Sequence, residues 1–353
     1  MDLNNKKVLI IRLSALGDTI HTLPLAAALK KQYPSVQLDW VVEDKASIFV
    51  LGNPLIDNVY ELPRKKWKES KNKLENLKEF FEIIFRIRKQ KYDYVLDTQQ
   101  LFKSSLIMGL SAGKSKVTLN DGREFSWLFA NKIINTGRKQ FDTQYHVVKR
   151  NLEFAKYFGC ENLDIEFVIP DLSSKYNHEI TYLIDNLDKS KKTIVIAPAT
   201  TWENKHWTMQ GWVDLINEFK HDCNIVVTCS EKERFYVSLI MSFIVGGNIL
   251  DLSGKTSLAD LEYIYKNADV VVSPDSGSAH IAWAAGARAI VSMFFATSAK
   301  RTAPFGGNYI PIESKADCSP CMKKKCCQKE RINKCTKDIK SIQIINIVKR
   351  VLQ

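Results

Sequence analysis

The sequence predicts an α/β protein built from two Rossmann-like, doubly wound domains that face a cleft. Its 353 residues are more than twice the common domain length of about 150. Short apolar or β-branched runs alternate with longer amphipathic stretches, which is typical of βαβ units on a parallel sheet. The alternation is interrupted at residues 169–174, whose proline, aspartate and serines are typical of a linker. We therefore expect domains over 1–170 and 171–335, followed by a C-terminal helix over 336–353.

The individual elements follow from the spacing of apolar residues. In the first domain, strands are expected at 7–13, 37–42, 59–62, 94–97 and 116–119, and the helices between them include 22–32 and 71–88. In the second domain, strands are expected at 193–197, 225–229, 249–252, 270–273 and 289–294. Ligands of such sheets bind beyond the carboxyl ends of the strands. The loops that follow the strands are therefore the places where functional residues are expected.

Composition and charge limit the class of protein. Hydrophobic residues make up 45% and charged residues 25% of the chain, which excludes disordered, collagen-like and coiled-coil proteins. The 51 lysines and arginines exceed the 39 aspartates and glutamates by 12, so nucleic acid, a nucleotide phosphate or an acidic membrane surface is expected as a partner. The first apolar run, 8–11, is too short for a signal peptide, and no apolar stretch is long enough to span a membrane. We expect a cytoplasmic protein.

The loop after the first predicted strand carries a carboxylate that has two interpretations. Gly17 can adopt a positive φ and places Asp18 at or near the start of the next helix. Asp18 is then either a helix cap or a catalytic carboxylate at the cleft. The segment lacks the Gly-x-Gly-x-x-Gly pattern, so it does not predict a dinucleotide site.

Two loops of the second domain suit a phosphate group. Thr200, Thr201 and Lys205 follow a predicted strand and offer hydroxyl donors and a positive charge, although a solvated loop has the same composition. After the strand at 270–273, small residues begin an alanine-rich helix whose first N–H groups and dipole favour an anion. The polar and small residues at this helix start are Asp275, Ser276, Gly277, Ser278 and His280.

Five segments, taken in order, resemble the lipopolysaccharide heptosyltransferases of glycosyltransferase family 9. They are residues 12–18, 39–43, 94–99, 205–207 and 275–280. The resemblance covers essentially the whole chain and implies GT-B architecture. It also implies transfer of heptose, with inversion, from ADP-L-glycero-D-manno-heptose to the Kdo or the first heptose of the lipopolysaccharide inner core, without a metal or other cofactor. The sequence contains no Asp-x-Asp motif, in agreement with a metal-independent donor site.

The resemblance also implies roles for individual residues. Asp18 matches the catalytic base. Matches to the donor site, which holds ADP-heptose, are Thr200, Thr201, Lys205, Glu231, Asp275, Ser276, Gly277, Ser278 and His280, with Glu231 at the ribose although the glycine turn of the family is missing there. Matches on the acceptor side are Arg12, Ser14, Gly17, Lys65, Lys66, Arg123, His146 and Arg150. One departure is Gln100, where the family has glycine; we expect little effect because Lys103 and Ser104 match.

Five cysteines fall within residues 318–335. Cys318, Cys321, Cys326 and Cys335 could hold a structural zinc ion, but the Cys326-Cys327 pair departs from a Cys-x-x-Cys knuckle. Similar cysteines occur in heptosyltransferases that need no metal for catalysis, so no metal is expected. The lysines and arginines of this loop could also lie on an anionic membrane.

The resemblance implies a Kdo–lipid A acceptor and an enzyme that works at the inner face of the inner membrane. We also expect a monomer and no nucleic-acid partner, although the sequence alone does not determine the oligomeric state. The basic residues at 64–68 and the Asp39-Trp40 pair favour the first heptosyltransferase, whereas the cysteine-rich loop favours the second. Three alternatives stay open: a family member that uses another nucleotide sugar or acceptor, a basic nucleic-acid-binding protein, and a non-catalytic sugar-nucleotide-binding module that would tolerate loss of Asp18. The second lacks an RNP, OB or helix-turn-helix signature.

Overall fold

The computed structural model describes residues 2–138, 142–306, 308–326 and 333–353. Its contacts divide the chain into two units, Met1–Asp171 and Leu172–Gln353. Each unit contains one six-stranded sheet, in which every neighbouring pair of strands is parallel. Among the described residues, no helix combines the length and the apolar character that a bilayer-spanning segment needs.

The N-terminal unit has the strand order of a dinucleotide-binding Rossmann sheet, β3-β2-β1-β4-β5-β6. Its strands are β1 (Lys7–Ile11), β2 (Gln37–Glu43), β3 (Asn58–Leu62), β4 (Tyr94–Asp97), β5 (Ser115–Leu119) and β6 (Lys132–Ile134). Its helices are α1 (Leu16–Ile20), α2 (Leu23–Gln32), α3 (Arg64–Glu69), α4 (Lys73–Lys89), α5 (Phe102–Leu110) and α6 (Val147–Tyr157).

The C-terminal unit repeats this order, with its own first strand, β7, again at the centre: β12-β11-β10-β7-β8-β9. Its strands are β7 (Thr193–Ile196), β8 (Asn224–Val227), β9 (Ile249–Asp251), β10 (Val270–Pro274), β11 (Ile290–Phe294) and β12 (Tyr309–Glu313). Its helices are α7 (His178–Asp185), α8 (Met209–Phe219), α9 (Arg234–Met241), α10 (Leu258–Lys266), α11 (Gly277–Ala284), α12 (Ala299–Thr302), α13 (Lys334–Asp338) and α14 (Ser341–Leu352).

The predicted strands are present, most of them with ends shifted by a residue or two, and two edge strands were missed. Strand β6 is short and largely exposed, so it has no buried apolar run to signal it. Strand β12 contains Pro311, which argues against a strand in sequence terms but is tolerated at a sheet edge. The expectation for Gly17 was wrong: it lies inside the short helix α1, not in a positive-φ turn. The Asp18 carboxylate accepts a hydrogen bond from the Ala15 N–H at 3.3 Å and favours this early helix start.

A buried polar network anchors the centre of the N-terminal sheet. The Tyr92 hydroxyl donates to Oδ2 of Asp39 at 2.5 Å, and both residues are fully buried. Asp39 also accepts from Asn58 Nδ2 at 3.0 Å. Next to it, the Trp40 indole donates to the Arg12 carbonyl at 3.2 Å and ties β2 to the end of β1. Burial and the Asp39 carboxylate raise the pKa of Tyr92, so the phenol stays a donor.

We expect Tyr92→Phe to lower the free energy of unfolding by about 1–3 kcal/mol, because Oδ2 of the buried Asp39 carboxylate loses its shorter hydrogen bond and keeps only the one from Gln37 Nε2 at 3.2 Å. Chemical denaturation of wild type and variant measures the difference. Tyr94→Phe is the matched control, since the Tyr94 hydroxyl has no hydrogen-bonding partner among the described residues. Equal losses in both variants would contradict a specific role for the Tyr92–Asp39 bond.

Candidate active site

In the N-terminal unit, a buried arginine lies at the carboxyl ends of β1 and β4. Arg12 is 5% exposed. Its Nη1 donates to the Thr98 carbonyl at 2.7 Å and its Nε to the Asp18 carbonyl at 3.3 Å. Its Nη2 lies 3.5 Å from Oδ1 of Asp18, whose side chain is 43% exposed. Burial lowers the pKa of the guanidinium and Asp18 opposes that effect. The Arg12 guanidinium is thus held by two backbone carbonyls, while the Asp18 carboxylate is accessible to solvent.

A second ion pair flanks Asp18 at the same edge. The Lys103 ammonium contacts Glu43 Oε1 at 2.8 Å and Ser14 Oγ at 2.9 Å. The Gln99 amide oxygen accepts from the Leu13 N–H at 2.8 Å, and its nitrogen lies 3.4 Å from Ser14 Oγ. Ser14 is therefore held by groups from α5 and from the loop after β4.

Three predicted acceptor residues lie near the start of α6 and the loop after β5. Arg150 makes a two-pronged ion pair with Asp121, at 2.6 and 2.7 Å. His146 is buried and caps α6, since its Nδ1 accepts from the Val148 N–H at 3.1 Å; the neutral ring therefore carries its proton on Nε2. The Arg123 side chain is exposed, and the backbone N–H of this residue donates to the Gln100 carbonyl at 3.1 Å.

The two predicted basic residues on α3, Lys65 and Lys66, differ in their contacts. The Lys65 side chain is exposed, and its backbone N–H donates to Asp44 Oδ2 at 2.7 Å. Lys66 forms an ion pair with Glu79 of α4 at 3.0 Å. Glu79 also accepts from the Trp67 indole at 2.7 Å, and the Trp67 and Lys66 hydrogen bonds lower the pKa of Glu79.

Two buried polar residues lie at the end of β4. The sequence alone assigned no role to Asp97 and predicted little effect from Gln100. Burial raises the pKa of Asp97 to about 6, although N–H donors from Gln100 at 2.8 Å and Gln99 at 3.1 Å oppose the rise. Gln100 adopts a φ of +57°, the left-handed region that glycine occupies without strain. Glycine, which the resemblance leads us to expect at this position, would therefore suit the backbone better than glutamine does.

In the C-terminal unit, a buried ion pair joins the loop after β7 to the end of β10. The Lys205 ammonium contacts Oδ2 and the carbonyl of Asp275 at 2.7 and 3.0 Å. The Thr297 hydroxyl donates to the same carboxylate at 2.6 Å, and His280 Nε2 lies 3.8 Å from its Oδ1. Burial alone would raise the pKa of Asp275, but Lys205, His280 and Thr297 outweigh it and hold the pKa below its ordinary value.

The helix start beside this pair has features that suit an anion. Helix α11 begins at Gly277, within the helix start predicted at residues 276–278, and Ser276 is its N-cap. The Ser276 hydroxyl oxygen is buried and has no hydrogen-bonding partner among the described residues. A Cβ built on Gly277 would meet nothing within 4 Å. Packing within the chain therefore does not require glycine at this exposed position.

The remaining donor-side predictions are less closely grouped. Thr200 is buried, and its carbonyl lies 2.6 Å from Nε2 of His206, whereas Thr201 is exposed. Ser278 lies in the first turn of α11 and is partly buried. Glu231 follows β8 in a short 3₁₀ turn, is exposed, and forms an ion pair with Arg234 at 3.7 Å.

The cysteine-rich segment packs beside the Lys205 loop. The Asn204 amide donates to the Lys323 carbonyl at 2.5 Å and lies 3.9 Å from Cys321 Sγ. Burial, reinforced by neighbouring thiols, raises the pKa of Cys335 to about 11. Within the described ranges, no three cysteine, histidine or acidic side chains are arranged to hold a metal ion; Cys327 lies outside those ranges.

Sequence reasoning missed several partners of the predicted residues. Thr297 contacts Asp275 and Asp121 contacts Arg150, both predicted site residues, and Glu43 contacts Lys103, which in turn contacts the predicted Ser14. Thr297 and Asp121 follow β11 and β5, and Glu43 ends β2, so all three lie at carboxyl ends of strands. That rule, applied to every strand, would have found them, but their pairings depend on the tertiary structure.

Two Rossmann-like units, each with polar residues at the carboxyl ends of its strands, are the architecture of the GT-B glycosyltransferases, and solved members share this fold. A crystal structure of a family 9 glycosyltransferase from Veillonella parvula superposes with a TM-score of 0.82 at 17% identity, covering 100% of this chain and 98% of that one. The Escherichia coli heptosyltransferase WaaC, solved with ADP, superposes with a TM-score of 0.73 at 20% identity, covering 98% and 99%.

The chain belongs to glycosyltransferase family 9, the heptosyltransferase family, whose model matches residues 81–332. The lipopolysaccharide core heptosyltransferase OpsX of Haemophilus influenzae is 28% identical over 85% of this chain and 82% of its own length. Lipopolysaccharide heptosyltransferase 1 of Pseudomonas aeruginosa is 26% identical over 91% of this chain and 87% of its own length.

We expect the Asp97 carboxyl to make stability fall as pH rises. Its pKa is about 6 in the folded chain and about 3.9 when unfolded, so between these values the unfolded chain releases a proton that the folded chain keeps. The free energy of unfolding should drop by about 3 kcal/mol from pH 3 to pH 7 through this group. Asp97→Asn should lack that component when denaturation is followed across pH.

Asp93→Asn is the control with the opposite sign. The Lys114 and Lys7 hydrogen bonds outweigh the effect of burial and lower the pKa of Asp93. Its stabilisation is present above the unfolded pKa and is lost as pH falls through the folded pKa. If Asp97→Asn and wild type keep a constant difference from pH 3 to pH 7, the assignment to Asp97 is wrong.

Proposed function

We propose that this chain transfers heptose from ADP-L-glycero-D-manno-heptose to the lipopolysaccharide inner core with inversion and without a metal ion. The single observation that carries the proposal is the cluster at the end of β10, where Lys205, Asp275 and the start of α11 combine a cation with free helix donors. The family of the chain, and the ADP with which WaaC was solved, suggest the ligand of this cluster.

The donor is proposed to bind to the C-terminal unit through its diphosphate. The Lys205 ammonium uses two of its three N–H donors on Asp275, and the third can reach a phosphate oxygen. The first N–H groups of α11 supply further donors, and its dipole favours negative charge. Ser276 Oγ, buried without a partner among the described residues, can donate as well. Thr200, Thr201, Ser278 and His280 complete the proposed phosphate side, and Glu231 is proposed at the ribose.

Asp18 is the proposed general base. In the transfer, its carboxylate takes the proton of the acceptor hydroxyl while that oxygen attacks the anomeric carbon. The bond from the anomeric carbon to the ADP oxygen breaks on the opposite face, and ADP leaves with the bonding electrons. Negative charge grows on the diphosphate during this step, and fixed cations and N–H donors stabilise it. Arg12, fixed by Thr98, orients Asp18 from below.

The acceptor is proposed to bind to the N-terminal unit. Its phosphates and Kdo carboxylates fit the cations there, which the resemblance assigns as Arg12, Lys65, Lys66, Arg123 and Arg150. His146, Ser14 and Gly17 are proposed to contact the acceptor as uncharged residues. The accepting sugar is proposed to be the Kdo of the inner core, with its first heptose as the alternative; several relatives are named lipopolysaccharide heptosyltransferase 1. We further propose that the chain acts as a monomer at the inner face of the inner membrane.

The decisive experiment is transfer from ADP-heptose to Kdo–lipid A in the presence of a chelator. We expect wild type to be active and Asp18→Asn to lose about 10²- to 10⁴-fold in rate, since the carboxamide cannot accept the proton. The affinity for ADP should stay within about twofold in calorimetry, because the change removes no proposed phosphate contact.

Each alternative result has a defined meaning. A fully active Asp18→Asn enzyme would exclude Asp18 as base. Loss of wild-type activity on chelation, restored by a divalent cation, would exclude the metal-independent mechanism. Wild type that binds ADP but transfers nothing would exclude the sugar or the acceptor proposed here, and leave the family assignment intact.

We expect Gly277→Val to weaken ADP binding about tenfold or more without loss of stability. The new side chain would point into the open space beside α11 where the diphosphate is proposed to lie, since a Cβ at this position meets no heavy atom of the rest of the chain within 4 Å. Calorimetry with ADP and thermal unfolding measure the two effects. His178→Val, which changes the exposed first residue of α7 in the same unit, is the matched control; unaltered ADP binding by both variants would refute the proposed diphosphate position.

A further inference from the structure

Helix α4 carries an apolar face that the fold leaves uncovered. Its buried side consists of Ile83, Ile84 and Ile87. A second set of large apolar residues points to solvent: Leu74 is 80% exposed, Leu77 52%, Phe81 51% and Phe85 59%. At 3.6 residues per turn these four fall within about 80° of the helix circumference. We call them the α4 stripe.

The surroundings of the α4 stripe are strongly cationic. Residues 64–91 contain eleven lysines and arginines and four glutamates, so this segment carries +7 of the chain's net +12. Lys78 and Lys89 flank the stripe and are exposed. The Lys89 ammonium lies over the Phe85 ring, 4.7 Å from its centroid. Two of the glutamates are paired with lysines of the same region, Glu79 with Lys66 and Glu82 with Lys78.

An open cavity of about 510 Å³ between α3 and α4 adjoins the stripe. Arg64, Lys68 and Lys73 line it together with Trp67 and Leu77. Its walls therefore join three cations to apolar side chains, and Leu77 belongs to both the cavity and the stripe. This combination suits the headgroup of an anionic lipid whose chains lie against apolar residues.

We propose that the α4 stripe and its flanking cations dock the chain on an anionic lipid bilayer. A helix with exposed leucine and phenylalanine beside lysines lies in the interface of such a membrane, with its apolar residues among the acyl chains and its ammonium groups at the phosphates. The positive charge around the stripe is complementary to the negative charge of the lipid phosphates, which favours an anionic bilayer as the partner. The inference rests on the proposed function only in expecting a bilayer near the enzyme, and it assigns docking to α4 instead of to the cysteine-rich loop.

A second exposed apolar helix provides the internal contrast. Phe235 on α9 of the C-terminal unit, and Phe243 just after the end of that helix, are also largely exposed. Residues 231–248 contain two acidic and two basic side chains and have no net charge. Exposed apolar surface is thus present at both helices, but cationic surroundings are present only at α4 within this pair.

The test is co-sedimentation of the full chain with vesicles of phosphatidylglycerol and phosphatidylethanolamine, compared with phosphatidylcholine vesicles, in the absence of donor and acceptor. We expect wild type to bind the anionic vesicles and not the zwitterionic ones. Leu74→Ser with Phe85→Ser should lower the partition coefficient about tenfold or more, and Lys78→Gln with Lys89→Gln should lower it about tenfold. The matched control, Phe235→Ser with Phe243→Ser, should bind like wild type.

Three results would overturn the proposal: stripe variants that bind like wild type, an equal loss in the α9 control, or equal binding to phosphatidylcholine. A wild-type dimer in sedimentation velocity that becomes monomeric in the stripe variant, with vesicle binding unchanged, would assign the surface to self-association instead. ADP binding and transfer to a detergent-dispersed acceptor should be unaffected by the stripe changes. Failure of membrane docking is thereby distinguished from failure of the proposed function.

Discussion

The all-parallel pairing of both sheets is the constraint on which the rest of the structure depends. Parallel strands must be joined by crossovers, usually helices, so every loop that follows a strand emerges at one edge of its sheet. In the N-terminal unit this edge gathers Arg12, Glu43 and Asp97 from three different strands or their ends. In the C-terminal unit it gathers Lys205 and Asp275. Residues far apart in sequence become neighbours because the loops that carry them all emerge at the same edge of the sheet.

Two of the buried charges at these edges are matched by an opposite charge. The Lys205–Asp275 pair and the Arg150–Asp121 pair are close, well-directed contacts between largely buried side chains. Such pairs add little net stability compared with apolar packing, but removing one partner is costly. They therefore fix the position of a cation near the surface more than they stabilise the fold. A lysine held in this way keeps donor capacity for an anion at a defined place.

The exposed face of α4 differs from the carboxyl edges of the sheets because it is apolar. The α4 stripe is apolar surface that no part of the described chain covers, and a set of large exposed apolar side chains on one helix is unusual unless a partner covers it. Lysines of α3 and α4 surround the stripe, which distinguishes it from apolar residues that are simply left out of the core. The same helix thus packs isoleucines against the sheet, holds the Lys66–Glu79 pair, and presents phenylalanine to solvent.

The two parallel sheets, most strand positions and a helix start at residues 276–278 could be predicted from the sequence, because these depend on local apolar periodicity and on small residues after a strand. The sequence also marked Lys205 and Asp275, but not that they bond to each other. The left-handed Gln100, the edge strands at 132–134 and 309–313, and the pairing of Lys66 with Glu79 were decided only by the tertiary structure. Each depends on residues distant in sequence, and strand pairing and side-chain contacts between distant segments leave no periodic signal in the chain.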